Sequence, residues 1–329
     1  MPVISADIFQ LGAVKLVAGA VPSNPALQLA RVTGESIVFT PSTTISAELD
    51  PSGQVKDSIL TGAASTGSID GELSRHPLFD LFLEAVMRST FGAATPQEGD
   101  GVLPTPGFST PTANELLVGS TLPLFMLEKR FRDAAGTGYL YHRFDKTAIT
   151  TLSLSVSANE PITYSFGVSG GVMTLGTAIL TGETYVSAGS RPVFTAPEVT
   201  ELLIDGVPYC FSSFTIDLNA NVRGIDCIGT LGFREQVLGR FEASISGTAY
   251  FQSNDILQDL IDQTRFSVTT TLTDGVGNSY KFDFPVCKFT AVPVNASGTN
   301  TDVVANLSIT PIYTPEWNYT VKVTRVQAA

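Results

Sequence analysis

The sequence is poor in the residues on which most catalytic and cofactor sites depend. Among 329 residues there are two histidines, three cysteines and one tryptophan. No Cys/His spacing typical of a zinc site, no nucleophile elbow and no phosphate-binding loop occurs along the chain. The sequence therefore predicts a protein that is not an enzyme and that needs neither a metal nor another cofactor.

The histidines and cysteines all have structural interpretations. His76 precedes Pro77 where a helix is expected to begin, which favours a capping or surface role over that of a base. His142 lies in a predicted strand, on a sheet face. An odd number of cysteines without a CxxC pair indicates small apolar residues in a reducing compartment. These cysteines are Cys210, Cys227 and Cys287.

Charge is scarce and unbalanced. Charged residues make up 15% of the chain, and the net charge is −12. Tight binding to nucleic acid needs Lys and Arg, so an acidic chain is unsuited to it. The charge indicates solubility first, and second a surface that DNA passes without adhering. No uninterrupted apolar run approaches the roughly 18 residues of a membrane span, and the first residues do not resemble a signal peptide.

What the chain does have is alternation of polar and apolar residues. Residues 44–50 alternate, and Ile45, Ala47 and Leu49 are predicted to face a core. A second alternating strand is predicted over residues 67–74, with Ile69 and Leu73 pointing inward and Asp70, Glu72 and Ser74 pointing outward. The sequence thus predicts a mainly β protein.

The predicted elements occur twice in the same order: strand, long loop, strand, helix, strand, Asp/Gly turn and further strands. In the first copy, apolar residues recur at helical spacing after Pro77, and the turn is predicted at Asp133–Gly138. In the second copy, the helix is predicted at Asp255–Asp262 with Asn254 as its N-cap. This repetition indicates an internal duplication, in which residues 47–50 correspond to residues 216–219. The two terminal arms are expected to have no fold of their own. The predicted divisions are an N-terminal arm (1–30), a first copy (31–170) with an insertion (91–112), a linker (171–200), a second copy (201–314) and a C-terminal arm (315–329).

Acidic residues recur on the polar phase of the strands that open each copy. Each one alone is ordinary for a solvated sheet face, but together they predict one continuous acidic face. Paired carboxylates would also suit a glycosidase, although such an enzyme normally adds aromatic residues for stacking on sugars. The residues are Glu48, Asp50, Asp70, Glu72, Asp217 and Glu242.

Two segments of the second copy resemble a known family. FSSFTIDLN at 211–219 and GRFEASISGTAYF at 239–251, separated by a loop and followed by a short helix, are similar to the tail tube proteins of long-tailed, siphovirus-type bacteriophages. TGESI at 33–37 and DGEL at 70–73 resemble them too. The resemblance implies a duplicated tail-tube-type β-sandwich or barrel domain, each copy with one short flanking helix.

The resemblance also implies a function. Such proteins close into rings, stack into a tube around a tape measure protein and later conduct DNA. It implies a virion tail component assembled in the bacterial host cytoplasm, with itself, the tape measure protein, the tail terminator and the distal tail proteins as partners. DNA would pass without specific binding, along a lumen that carries the acidic residues named above.

Two loops, at 51–61 and 220–236, are expected to supply contacts between rings. Members of the family with a single copy commonly form hexamers, so two copies in one chain predict a trimeric ring with pseudo-sixfold symmetry. If the second half were a decoration, six chains would be needed. The loop residues are Ser52, Gln54, Lys56, Asp57, Arg223, Asp226 and Arg234.

Two other functions stay open at this point. A phage-related β-sandwich that binds a receptor or carbohydrate predicts clustered exposed Trp and Tyr and no stacking. A hydrolase predicts two acids that converge in a cleft with displaced pKa values.

Overall fold

The chain folds as strands joined by tight turns, with two short α-helices. A computed structural model describes residues 9–49, 51–92, 114–134, 136–296, 298–299 and 301–327. The helices are α1 (Pro77–Val86) and α2 (Asp255–Asp262), and a short 3-10 helix spans Ala196–Glu198. The protein is mainly β, as the sequence predicts.

The strands are numbered in chain order, and most of them belong to one connected system of sheets. They are β1 (Gln10–Lys15), β2 (Ala26–Leu29), β3 (Gly34–Glu35), β4 (Val38–Ile45), β5 (Ser58–Glu72), β6 (Glu115–Leu117), β7 (Phe125–Arg132), β8 (Tyr139–Ser157), β9 (Thr163–Gly170), β10 (Met173–Gly176), β11 (Thr184–Val186), β12 (Val199–Ile204), β13 (Val207–Pro208), β14 (Phe211–Asn219), β15 (Val222–Ile225), β16 (Glu235–Leu238), β17 (Glu242–Tyr250), β18 (Phe266–Thr273), β19 (Ser279–Ala291), β20 (Val294–Asn295), β21 (Val304–Pro311) and β22 (Lys322–Val326).

One antiparallel sheet, which we call the main sheet, runs through the middle of the chain. Its strand order is β4-β5-β9-β8-β14-β17-β21-β19. One face is apolar, with buried residues such as Phe166, Leu152 and Ile216, and it belongs to a single large core. The other face carries polar side chains, because neighbours along a strand point to opposite faces.

Two long strands leave the main sheet and enter outer sheets. The first half of β8 pairs with β7 and β10 in what we call the first outer sheet. The first half of β19 pairs with β18 and β22 in the second outer sheet. β8 passes Lys146, which has a positive φ, and then a bulge around Thr150. The core lies between the main sheet and these outer strands, which gives a layered β-sandwich.

The order of strand pairings occurs twice. In the first half, β4 pairs with β5, β5 with β9, β9 with β8, and β8 with β7. In the second half, β14 pairs with β17, β17 with β21, β21 with β19, and β19 with β18. In both halves the helix follows the second of these strands. The proposed bounds of the two copies, 31–170 and 201–314, stay predictions.

The helices begin where the sequence indicates, but they are capped differently. His76 is the N-cap of α1, and its Nδ1 accepts a hydrogen bond from the backbone N–H of Phe79 at 3.2 Å. Pro77 occupies the first turn, where a missing N–H has no cost. Asn254 precedes α2 but its side chain makes no capping hydrogen bond.

Some local predictions were wrong. The strand predicted over residues 44–50 ends at Ile45, and Leu49 is fully exposed in the following loop. The alternation of polar and apolar residues does not indicate a buried face here, because β4 and the start of β5 form a hairpin that is exposed on both faces. Equating residues 47–50 with residues 216–219 was wrong, because residues 47–49 lie in a loop whereas residues 216–219 lie in β14; Asp50 is outside the described residues. Ser74, predicted to point outward, is buried.

Both arms contain ordered strands, contrary to the prediction. β1 pairs with β7 along its whole length, and β22 pairs with β19 and β6. These strands are short and their partners are distant in sequence, so their own residues give little local signal. Most of the predicted insertion at 91–112 lies outside the described residues.

Candidate functional site

A row of polar residues crosses the main sheet. Directly paired residues share a sheet face, so Asp70, Ser165, Ser153, Asp217 and Ser244 lie side by side on consecutive strands. The hydroxyl of Ser165 donates to Asp70 Oδ1 at 2.5 Å. The row places two of the predicted acidic residues on one face, with hydroxyl-bearing residues between them.

The remaining acidic residues do not all lie on that face. Glu72 is exposed and opposite Thr163, one row from Asp70. Glu242 is opposite Asn219 and bonds Arg240, which lowers the pKa of its carboxyl. Glu48 lies in the exposed loop after β4, so placing it on a strand was wrong. Asp50 is outside the described residues.

Hydroxyls outnumber carboxylates on this face. Register places Ser155, Thr215, Ser246 and Ser308 in the row of Glu72, with no acid among them. Such a surface offers many weak hydrogen-bonding groups and few charges. It is a polar face with scattered acids rather than a continuous acidic one.

Buried charged residues in the first outer sheet form a satisfied network. Arg143 contacts Glu128 at 2.6 Å and Glu183 at 3.5 Å, and the Tyr185 hydroxyl donates to Glu128 at 2.6 Å. Burial raises the pKa of Glu128. A fully bonded pair of acids around one guanidinium is a structural arrangement, since it leaves no group directed at a substrate.

The histidines have structural places as well. His142 packs against the Phe131 ring with centroids 5.1 Å apart, and His76 caps α1. In the described part of the chain, no group of His, Cys, Asp and Glu side chains has the arrangement of a metal site. Neither α1 nor α2, the helices of the described ranges, is long and apolar enough to cross a membrane.

The two predicted loops belong to equivalent hairpins, and both predictions were partly wrong. Residues 58–61 lie in β5, and the range 220–236 contains β15 and the start of β16. Residues 46–57 join β4 to β5, and Ser52, Gln54, Lys56 and Asp57 are exposed there. The strands beneath them are exposed too: Ile45 is 61% exposed and Ile59 50%. An isolated two-stranded hairpin is marginal in water, so this one is suited to contact another surface.

The second hairpin, β15–β16, lies against the first half of the chain. Gln236 Nε2 donates to the carbonyl oxygens of Lys146 at 2.7 Å and of Ser169 at 3.3 Å. Gly232 has φ +80°, and a Cβ there would lie 3.1 Å from the Ala63 carbonyl oxygen. The predicted loop residues Arg223, Asp226 and Arg234 stay exposed on this docked hairpin.

A cavity of about 830 Å³ opens on the main sheet beside the boundary between the two halves. Its lining includes Phe241, Thr310, Ile312 and Tyr313 of the second half, Asp217 of β14 and Glu242 of β17, and residues 151–153 of β8 in the first half. The sequence does not predict this cavity, because its walls come from segments as far apart in the chain as Thr151 and Thr320. The exposed apolar residues of the β4–β5 hairpin were the signal that such a surface is needed.

These features define a class of protein. A layered β chain with a twice-used strand order, satisfied buried charges and exposed strand edges is built for association with other chains. The model of the phage tail tube protein family matches residues 10–311, and the chain belongs to that family. A search of curated proteins found no match.

Membership of the family establishes the general function of the chain. The chain is a structural component of a phage tail, assembles into a tube and contacts other tail components. Members of this family are structural and not enzymes, so the chain is not an enzyme.

Proposed function

We propose that three chains form a ring with pseudo-sixfold symmetry, and that such rings stack into the tube of a siphovirus-type tail. The supporting observation is the strand order that occurs twice along the chain, with β8 of the first half pairing with β14 of the second. Each half contributes four strands to the main sheet. Three chains would therefore supply six equivalent units.

The polar face of the main sheet is our candidate for the lumen surface. Asp70, Glu72, Asp217 and Glu242 would repel the phosphates of passing DNA, while the hydroxyls of the same rows would hydrate it. Few cations stand on the rows described above, which fits DNA in transit without specific binding. The tape measure protein would occupy the same lumen before DNA does.

The exposed residues of the two hairpins are candidates for contacts between rings. In the hairpin that lies on the first half, Arg223, Asp226 and Arg234 are exposed. Charges of both signs on one rim would favour pairing between the rims of stacked rings. The tail terminator and the distal tail proteins would contact the tube's two ends. Assembly would take place in the host cytoplasm.

Electron microscopy of the purified chain tests this proposal. End-on averages should show stacked rings with a central hole and threefold symmetry, and native mass spectrometry should give a ring of three 34.8 kDa chains. Sixfold rings of six chains would contradict the trimer while keeping the tube. A protein that stays monomeric at every concentration would overturn the proposal.

A further inference from the structure

Three parts of the contact between the two halves of the chain have counterparts at the free edges of the chain. β14 pairs with the second half of β8, with Asn219 opposite Thr151. The β15–β16 hairpin lies over the end of the first half. Asp80 of α1 accepts hydrogen bonds from the Tyr280 hydroxyl at 2.6 Å and from Arg325 at 2.8 Å, which ties the first helix to the second outer sheet.

The main sheet has two outer edges, β4 at one end and the last part of β19 at the other. Among the residues that the structure describes, neither edge has a partner strand like the one that β8 and β14 provide for each other. β4 is bonded to β5 on one side, and no strand of the described residues bonds its other side. β18 leaves β19 at Cys287, so the stretch from Lys288 to Asn295 is bonded only to β21 within the described part. Free edges of this kind pair readily with another chain.

Shared irregularities align the two halves residue by residue. β8 has one extra residue between Ile149 and Thr151, and β19 has one between Phe289 and Ala291, so Thr151 corresponds to Ala291. In the hairpins, Thr43 opposite Leu60 matches Val222 opposite Leu238. Counting back three residues in each strand makes Thr40 correspond to Asn219.

We propose that the contact between neighbouring copies repeats the contact between the two halves of one chain. β4 of one copy pairs antiparallel with the free β19–β20 edge of a second copy, with Thr40 opposite Ala291 and Phe39 opposite Val292. The proposal deepens the ring function and rests on it. Pairing starts after Ile37, whose carbonyl already accepts from Lys129 at 2.6 Å.

The same alignment places the exposed hairpin in the cavity of the second copy. Ser58 corresponds to Gln236, and Thr310 corresponds to Ser169, whose carbonyl Gln236 binds. Tyr313 corresponds to Val172, whose Cγ2 would lie 3.3 Å from a Cβ at Gly232 of the docked hairpin. Thr310 and Tyr313 line one part of the cavity, so the surface that the hairpin requires is present and open. The hairpin would cover this part and leave Asp217 and Glu242, which line another part, on the lumen face.

The two helices also differ in what covers them within one chain. Leu83 near the end of α1 is fully buried, whereas Ile261, at the corresponding place in α2, is 73% exposed. α1 contacts the second outer sheet of its own chain. Ile261 would be covered when α2 contacts the first outer sheet of the next copy.

Cysteine cross-linking tests the register in the full-length chain. Cys210 and Cys227 are replaced by serine, and Thr40→Cys and Ala291→Cys are added, both at exposed positions. Rings are checked by microscopy, oxidised with diamide and run on a non-reducing gel. Side chains at this pair, which does not exchange backbone hydrogen bonds, are close enough for a disulfide. Most of the protein should become cross-linked, up to the ring size and no further.

The matched control is Ser42→Cys with Ala291→Cys, two residues out of register. If rings form but only the Ser42 variant is cross-linked, or neither variant is, the proposed contact is overturned. The proposed ring function would stand in both cases. If the variant and the unmodified chain both fail to assemble, the proposed function fails and this contact with it.

A second pair of variants tests the cavity without cysteines. Ile59→Asp places a charge on the exposed hairpin and should raise the concentration needed for ring formation at least tenfold. The control is Val207→Asp on the second outer sheet, away from the cavity. Val207 is 53% exposed and Ile59 is 50% exposed, so the two substitutions are comparable. Val207→Asp should change the concentration needed for ring formation by less than twofold. Equal effects of the two variants would overturn the placement of the hairpin.

Discussion

The two halves of the chain share an order of strand pairings but differ in what covers them. α1 buries Leu78, Phe79 and Phe82 among others, while α2 fully buries only Ile256. The β15–β16 hairpin lies on the first half, whereas the β4–β5 hairpin is exposed. The second half therefore covers the first half within one chain, whereas the corresponding surfaces of the second half stay exposed until another copy covers them.

The largest expected difference between the halves concerns their helices. Phe82 is 2% exposed and packs edge-to-face on Phe125 and Phe166. Phe82→Ala should lower the free energy of unfolding by about 3–5 kcal/mol, because it removes buried surface and leaves a cavity. The measurement is urea denaturation of the chain below the concentration at which rings form.

The control is Leu260→Ala in α2, at the position corresponding to Phe82. Leu260 is half-buried, so its loss should be about 1 kcal/mol. A loss at Leu260 as large as that at Phe82 would mean that α2 is as well supported in one chain as α1, and the comparison would fail.

The second prediction concerns pH, and it belongs to the first half alone. His76 is buried, and burial together with the charge of Arg31 lowers its pKa to about 4 from 6.5. Between these values the unfolded chain binds a proton that the folded chain does not, so stability falls as pH falls from about 6.5 to 4. The loss between pH 7 and pH 5 should be about 2 kcal/mol.

His76→Asn separates this effect from other titrations. Asn is a good N-cap and does not titrate, so the variant should keep the helix and lose this part of the pH dependence. Groups such as Glu128, whose raised pKa acts in the opposite direction, are common to both proteins and cancel in the difference. Parallel stability curves for the two proteins from pH 7 to pH 4 would contradict the prediction.

Much of this arrangement follows from sequence patterns. The apolar spacing after Pro77 predicted α1, and the Asp133–Gly138 turn precedes β8 as expected. The wrong strand at residues 44–50 shows the limit of such patterns. Alternation says which residues share a face, but not whether anything covers that face.

The cavity and the free edges lie beyond the reach of local patterns for a related reason. Phe241 and Tyr313 meet only because β17 and β21 are neighbours in the sheet. β22 has five residues and pairs with strands whose positions are set elsewhere in the chain. Pairings of this kind depend on the whole topology, which no single segment encodes.

The smallest expected effect concerns the hairpins themselves. Gln236 donates hydrogen bonds to two carbonyl oxygens of the first half, at 2.7 and 3.3 Å. Gln236→Ala should lower the free energy of unfolding of the single chain by about 1 kcal/mol, because the two carbonyl oxygens would lack this hydrogen-bond donor in the folded chain. Ser58→Ala, at the corresponding place in the exposed hairpin, should change it by less than about 0.5 kcal/mol, since Ser58 is a surface residue there. Urea denaturation of both variants below the ring-forming concentration measures the difference. Equal losses would mean that the two hairpins are equally supported within one chain, and the exposed hairpin would then have no need of a second copy.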